Sequence, residues 1–299
     1  MLHFALREAA RLALGLLGAL LLAAALAALG APHAGRGFMP FMIGWGSVLG
    51  SLVQADLGRS AMSGGSVWHE LGAHLPLTLG LVGEGFLIAL IVGIPIGFLF
   101  GAGPARRAAS PLVQVISAAP IFVAALALAY LAFHLLHWPV PVGAGEKSGL
   151  QLVPHTMAEL QAALLPVLAI GLAGAAAAQL ALRRGAADTL RQPWRVQLRR
   201  MGLTSWDVER AYVVPAVLAA LLASLGEVVL ALLSAAAVTE WVFRYAGAAD
   251  LFVKSVALRD WSIAAAILFV FASLTMTAHF VGVCLARLLA DPGAPASWR

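Results

Sequence analysis

The sequence predicts an all-α, polytopic integral membrane protein with about six transmembrane helices. Of its 299 residues, 62% are hydrophobic and only 11% are charged, and the mean hydropathy is +0.92. Soluble domains carry about 25% charged residues, so this composition excludes an ordinary soluble protein. Apolar segments of about 20 residues, the length that crosses the hydrocarbon of a bilayer, recur along the chain. We therefore interpret residues 1–299 as a single transmembrane domain.

Six apolar segments are predicted to span the membrane. They are residues 9–29, 77–100, 109–136, 160–182, 213–238 and 263–285. The first segment is longer than the apolar region of a signal peptide, which is about 7–15 residues, so it is interpreted as a span. Residues 30–76 form the longest segment between two spans and are rich in Gly and Ser.

The distribution of basic residues predicts the orientation. If the N-terminus is cytoplasmic, the inner segments hold 13 Lys and Arg residues and the outer segments hold 6. Lys and Arg resist translocation, so the richer side faces the cytoplasm. Both termini are therefore predicted to be cytoplasmic, and residues 30–76 are predicted to be periplasmic.

The only long polar stretch in the second half of the chain is residues 183–215. It carries seven arginines and three acids between two spans, so it is predicted to lie in the cytoplasm. Gly202 permits a sharp turn, and Thr204 with Asp207 resembles a capping box that restarts a helix. Pro215 suits the first turn of the next span. The pattern predicts a compact helical projection for a partner's groove, and spacing alone leaves open an ordinary basic loop with a helix break.

Short motifs in a fixed order give the chain a resemblance to a known family. Gly202 is followed by nine residues and then Tyr-Val-Val-Pro ending at Pro215, and residues 56–60 read Asp-Leu-Gly-Arg-Ser ahead of Leu-Pro-Leu-Thr-Leu. Further matches are Leu165-Pro166, Leu190-Arg191-Gln192, Gly202-Leu203, Glu240-x-Val242-Phe243, Arg259-Asp260 and Asp291-Pro292. Together they resemble permease subunits of ATP-binding-cassette (ABC) importers for dipeptides, oligopeptides and nickel, of the first-subunit type.

Two departures mark the chain as a divergent member. Val196, Gln197 and Leu198 stand where the family has Glu-Ala-Ala, so the loop match depends on its glycine and proline. Residues 246–249 read Ala-Gly-Ala-Ala where the family has Pro-Gly-Leu-Gly.

The resemblance implies a type I permease fold and a loop that couples to ATPases. The coupling residues it implies are Gln197, Leu198, Arg199, Arg200, Gly202, Leu203, Asp207, Tyr212 and Pro215. It implies a non-enzymatic subunit of the bacterial inner membrane without a cofactor of its own, ATP and Mg being bound by partner subunits. The implied partners are a second homologous permease, two cytoplasmic ATP-binding subunits and a periplasmic or lipid-anchored solute-binding protein. Peptides or peptide-like solutes are the implied substrates, with metal chelates such as nickel complexes as an alternative.

Two acids, Glu84 and Glu227, fall inside predicted spans. A charged side chain there is unfavourable by at least about 2.5–3.5 kcal/mol on insertion scales, so each should face a cavity or a partner. They are candidates for the translocation path, and packing residues are the alternative. A proton- or ion-coupled secondary carrier using both acids is a further alternative. In the second span, Gly93, Gly97 and Gly101 are spaced for close helix contact.

Other functions receive little support from the sequence. The basic pI of about 10.1 comes from arginine in loops, so no nucleic-acid partner is expected. The single cysteine, Cys284, lies in an apolar segment, and the eight histidines show no helical zinc pattern, so no metal site is expected. Residues 143–148 resemble a phosphate loop, but Glu146 stands where glycine is needed.

Overall fold

A computed structural model describes residues 2–29, 56–101, 157–190 and 192–289, with isolated positions from 42 to 51 and from 123 to 134. Its helices are α1 (Leu2–Ala28), α2 (Val67–Gly101), α3 (Met157–Leu190), α4 (Trp194–Arg200), α5 (Ser205–Val208), α6 (Val214–Ala223), α7 (Leu225–Phe243), α8 (Ala248–Ala257) and α9 (Trp261–Leu289). A π-helical turn, Glu209–Val213, joins α5 to α6. Within this part of the chain, five helices are long and apolar enough to cross a membrane.

The all-α prediction is confirmed, and five of the six predicted spans overlap with such helices: α1, α2, α3, α7 and α9. The predicted third span, residues 109–136, lies outside the described residues apart from isolated positions. The phosphate-loop resemblance at 143–148 lies outside them altogether.

Helices α2 and α3 pack closely through small residues. A Cβ atom on Gly93 would lie 3.0 Å from the Ala175 carbonyl oxygen, and one on Gly97 would lie 2.5 Å from Leu182 Cδ1. Only glycine therefore allows the two helices to approach so closely. The predicted close contact is confirmed for Gly93 and Gly97.

Two helices extend beyond the spans predicted for them, because helices do not stop where hydropathy falls. Helix α3 continues past residue 182 through Arg183 and Arg184 to Leu190. Arg and Ala are strong helix formers, so the helix continues through these charged residues. Helix α2 begins at Val67 rather than at residue 77, with Pro76 inside it.

The fifth predicted span, residues 213–238, is not one helix. Ser224 has φ −96° and ψ 9°, which ends α6, and α7 restarts at Leu225. Helix α9 packs against the break, because a Cβ on Gly282 would collide with the Leu222 carbonyl oxygen and one on Gly226 would lie 2.7 Å from His279 Cβ. Hydropathy does not detect such a break, since the residues from 217 to 226 are all small or apolar.

A fully buried carboxylate joins three helices at the end of the bundle where α7 meets α8. Glu240 accepts hydrogen bonds from Thr78 Oγ1 at 2.6 Å and from the Asp250 N–H at 2.8 Å. The Thr78 hydroxyl in turn accepts a bond from the Ala248 N–H at 2.7 Å. We call this group the Glu240 anchor; it ties α2, α7 and the start of α8 together.

A second buried carboxylate, Asp260, fixes the segment ahead of α2. Its Oδ2 accepts hydrogen bonds from Ser60 Oγ at 2.6 Å and from the Met62 N–H at 3.1 Å. Its Oδ1 accepts from the Ile263 N–H at 3.4 Å, which caps the start of α9. This group, the Asp260 anchor, joins residues that are 200 positions apart in the chain.

We expect Thr78→Val to destabilise the fold strongly, because it leaves the Glu240 carboxylate and the Ala248 N–H buried without this partner. Each unsatisfied group should cost about 1–3 kcal/mol. The measurement is the thermal unfolding midpoint of the detergent-solubilised protein. Thr277→Val, at an exposed position of α9, is the matched control. Equal midpoints for the two variants would show that the Glu240 anchor contributes nothing to stability.

Candidate functional site

The predicted polar stretch folds into a helical projection, residues 194–213, that lies between two membrane helices. Helix α4 ends at Arg200 with Met201 as its C-cap, and Gly202 follows with φ +92°. The Gly202 N–H bonds to the Arg199 carbonyl at 3.1 Å and the Leu203 N–H to the Leu198 carbonyl at 3.3 Å. This is a Schellman motif, in which a left-handed residue satisfies the last carbonyls of a helix. The predicted glycine turn is confirmed.

The chain restarts as a helix directly after this turn. Thr204 Oγ1 accepts from the Asp207 N–H at 3.2 Å, and the Asp207 carboxylate accepts from the Thr204 N–H at 3.3 Å. The predicted capping box is therefore confirmed. From Ser205 the chain stays helical through the π-helical turn and α6, with Pro215 in the first turn of α6. The second half of the projection is thus continuous with a membrane helix.

The exposed surface of the projection combines large apolar side chains with arginines. Met201 is 77% exposed and Trp206 is 69% exposed. The arginines at 199, 200 and 210 are exposed beside them. Met, aromatic residues and Arg are the types enriched in protein interfaces. Sequence analysis did not single out Met201 or Trp206, although large apolar residues in a polar stretch were a usable signal.

Inward contacts hold this surface in place. Val208 and Val213 are buried. The Tyr212 ring packs against the Trp194 ring with centroids 5.9 Å apart, which joins the two halves of the projection.

The nine predicted coupling residues all lie in the projection or at the helix start that follows it. Gln197, Arg199, Arg200, Gly202, Asp207 and Tyr212 are exposed, and Leu198, Leu203 and Pro215 are half-buried. The structure thus brings together one contiguous surface from residues spread over the predicted stretch.

Glu227 lies in the first turn of α7, next to the break at Ser224. Its carboxylate pairs with Arg184 Nη1 at 3.3 Å, and both side chains are more than half exposed. It also lines a crevice of about 340 Å³ between α1, α7 and α9, whose polar lining includes Arg11 and His279. Glu227 therefore has both a charged partner and a cavity, and its place in the translocation path stays a prediction.

The structure does not bring Glu84 to Glu227. Glu84 is exposed near the middle of α2. Its charge acts on Tyr245, which lies beyond the opposite end of α7 from Glu227. Burial raises the pKa of the Tyr245 phenol, and the carboxylates of Glu84 and Glu240 raise it further. The phenol therefore stays neutral, and Glu84 remains a separate candidate.

Within the described residues, no group of three or more His, Cys, Asp or Glu side chains could hold a metal ion. His134, one of two histidines with helical spacing, packs its ring against Tyr130 with centroids 4.3 Å apart. His137, three positions further along the chain, lies outside the described residues.

Comparison with known proteins assigns this architecture. Residues 73–291 match the family described as "Binding-protein-dependent transport system inner membrane component". The probable D,D-dipeptide transport system permease protein DdpB of Escherichia coli K12 is 26% identical over 242 residues, covering 74% of this chain and 71% of that protein. The peptide transport system permease protein SapB of Salmonella typhimurium LT2 is 24% identical over 289 residues, covering 89% of each chain.

A third relative is named for a different solute from the first two. The putrescine export system permease protein SapB of Escherichia coli K12 is 23% identical over 290 residues, covering 89% of each chain. None of these matches supports the alternative of a proton- or ion-coupled carrier. The chain belongs to the binding-protein-dependent transport system inner membrane components and is a permease subunit of an ABC transport system.

Proposed function

We propose that this chain is one of two permeases in an ATP-driven importer of peptides or peptide-like solutes, with both termini and the projection in the cytoplasm. The observation that carries the proposal is the projection itself. It is capped on both sides of Gly202, displays Met201 and Trp206, and runs without interruption into α6. Two relatives named for peptide or dipeptide transport support the substrate class.

The proposed partners follow from this role. Two ATPase subunits bind ATP and Mg, and their grooves hold the projections of this chain and of a second, homologous permease. A solute-binding protein delivers the substrate at the opposite face. This chain needs no catalytic residue, because it converts closure of the ATPases into rearrangement of helices.

In this proposal the break at Ser224 is the hinge about which the helices rearrange. Helix α6 continues the projection, whereas α7 beyond the break is fixed to α2 and α8 by the Glu240 anchor. Helix α3 contacts both sides, since Gly185 packs against Ala220 of α6 and Arg184 pairs with Glu227 of α7. Hinge motions concentrate at the few residues that end an element, so α6 moves against α7 at Ser224 when the ATPases close.

Gly202→Val tests the coupling role. Gly202 needs a positive φ, and nothing lies within 4 Å of a Cβ there, so valine adds backbone strain without a clash. Strain of about 1–3 kcal/mol should reduce solute uptake per ATP hydrolysed about tenfold in proteoliposomes. Gly202→Asn, which tolerates this backbone, should retain coupling. Uptake and stimulated ATP hydrolysis equal to wild type in the valine variant would contradict the assignment.

Replacing Arg199 and Arg200 together with alanine should have a smaller effect than Gly202→Val. Exposed charges contribute about 0–1 kcal/mol per pair and are screened by salt. We expect a loss of uptake of about fivefold or less that diminishes as salt is raised, measured in the same proteoliposomes. A salt-independent loss as severe as that of the valine variant would show that the arginines do more than provide charge.

Cysteine labelling tests the orientation. In a Cys284→Ser background, a membrane-impermeant maleimide applied to intact spheroplasts should label Ser63→Cys and spare Ser205→Cys until the membrane is permeabilised. Both positions are exposed, so access depends on the side of the membrane. Labelling of both positions from outside would overturn the proposed topology.

A charge exchange tests the pair beside the break. Glu227→Gln should lower uptake by up to about fivefold without changing the amount of assembled complex, since an exposed ion pair is worth up to about 1 kcal/mol. Arg184→Glu combined with Glu227→Arg should recover most of that loss. If the single variant matches wild type, the pair has no role in transport and Glu227 is a packing residue.

A further inference from the structure

The crevice between α1, α7 and α9 is polar at one end. Its ionisable side chains are Glu8 and Arg11 of α1, Glu227 of α7 and His279 of α9. Glu227 lies in the first turn of α7, and α7 is about 28 Å long, which nearly matches the hydrocarbon thickness. These four side chains therefore lie at the border of the apolar layer, where the headgroups of the lipids begin.

The other end of the crevice is apolar. The Arg287 guanidinium lies 5.3 Å from the centre of the Phe4 ring, and a Cβ on Gly15 would lie 2.9 Å from the sulfur atom of the next α9 residue inward. That residue is Met276, which lines the crevice, so α9 runs antiparallel to α1 and Met276 lies deeper in the apolar layer than the polar end. Leu230, one turn further along α7 than the polar residue of that helix, also lines the crevice and is 54% exposed. The apolar end therefore opens toward the lipid chains.

The polar end holds both signs of charge. The Glu8 carboxylate accepts a hydrogen bond from Arg11 Nη1 at 2.5 Å and lies 3.6 Å from Arg7 Nε. One carboxylate thus faces two guanidinium groups, which leaves an excess of positive charge beside it. Glu227 pairs with Arg184 through a side chain that is 63% exposed, and a carboxylate can accept about four hydrogen bonds. A negative group is therefore favoured near Arg11, and a positively charged donor is favoured near Glu227.

We propose that this crevice binds the headgroup of a phosphatidylethanolamine molecule, whose phosphate lies at Arg11 and whose ammonium group donates to Glu227. The crevice volume of about 340 Å³ falls within the range of about 300–1,000 Å³ that ligand sites occupy. The planar guanidinium group suits phosphate oxygens, and the acyl chains leave the crevice over Leu230. Lipid headgroups commonly bind in polar pockets between transmembrane helices. The proposal rests on the proposed function for one point, that this end of the bundle faces the cytoplasm.

The pair of charges selects this headgroup among the common phospholipids. Phosphatidylglycerol has no cation for Glu227, and the quaternary ammonium group of phosphatidylcholine has no N–H to donate. A water-soluble zwitterion, such as a peptide, would satisfy the same two charges but would leave the apolar end of the crevice unfilled. The combination of a zwitterionic end with an apolar end therefore favours an amphiphile with a primary ammonium group.

Photolabelling tests the site in the complete permease–ATPase complex, held in phosphatidylcholine nanodiscs without ATP. A small fraction of the lipid is replaced by phosphatidylethanolamine with a photoreactive group in one acyl chain, and labelled peptides are identified by mass spectrometry. Labelling of α9 around Met276 should be about tenfold stronger than with the matched phosphatidylcholine probe. One additional charge-assisted hydrogen bond is worth about that factor.

Three variants sharpen the test, and none of them changes the α9 peptide on which labelling is scored. Leu230→Trp fills the crevice and should reduce labelling by the ethanolamine probe about tenfold. Leu172→Trp, at a position of α3 that is 41% exposed, is the matched control and should stay within about twofold of wild type. Glu227→Gln keeps the shape of the side chain but removes its charge, so the preference for ethanolamine over choline should fall to about twofold or less.

Several outcomes would overturn the proposal. Equal labelling of the wild-type complex by the ethanolamine and choline probes would show ordinary contact with bulk lipid. Stronger labelling by a phosphatidylglycerol probe would assign the crevice to an anionic lipid, and loss of labelling in excess dialanine would assign it to a soluble zwitterion. Failure of Leu230→Trp alone to assemble with the other subunits would show that a protein partner fills the crevice. The labelling needs neither ATP nor solute, so its failure leaves the proposed import function standing, and loss of import leaves the labelling result valid.

Discussion

The hydrogen bond between Thr78 and the buried carboxylate of Glu240 is the contact on which one end of this bundle depends. A carboxylate removed from water is strongly unfavourable unless its oxygens are satisfied. Here both oxygens have donors, and one donor, the Thr78 hydroxyl, is itself bonded to the start of α8. Removing any one of these groups leaves the others buried without a hydrogen-bond partner. The three helices are therefore held in one arrangement.

The opposite end is held by a different kind of interaction. Around Ser224 the close contacts are made by glycines: Gly226 packs against α9, Gly282 of α9 packs against Leu222, and Gly185 of α3 packs against α6. Such contacts require proximity but little directional bonding, so they permit sliding more readily than a hydrogen-bonded carboxylate does. In the proposed mechanism, the polar network keeps α7 fixed and the glycine contacts leave α6 free to move.

Sequence reasoning succeeded where the information was local. The turn at Gly202 and the capping box of Thr204 with Asp207 are each encoded within a few residues, so their patterns were readable. The break at Ser224 was not, because no proline marks it and the residues from 217 to 226 are all small or apolar. The partners of Glu240 and Asp260 were also inaccessible, since Thr78 lies 162 positions and Ser60 lies 200 positions away. The family motifs could be recognised in the sequence. Only the fold shows that residues of different motifs form hydrogen bonds with one another.

The position of the break makes α6 about half as long as α7. Helix α6 has 10 residues, which corresponds to a rod of about 15 Å, so a tilt of about 15° at Ser224 would displace its far end by about 4 Å. Helix α7, with 19 residues, is about 28 Å long and nearly matches the hydrocarbon thickness on its own. In the proposed mechanism, α6 therefore tilts at one end of α7, while α7 itself is long enough to span the apolar layer. A tilt of α6 would then be passed on to α7 without moving polar groups into the apolar layer.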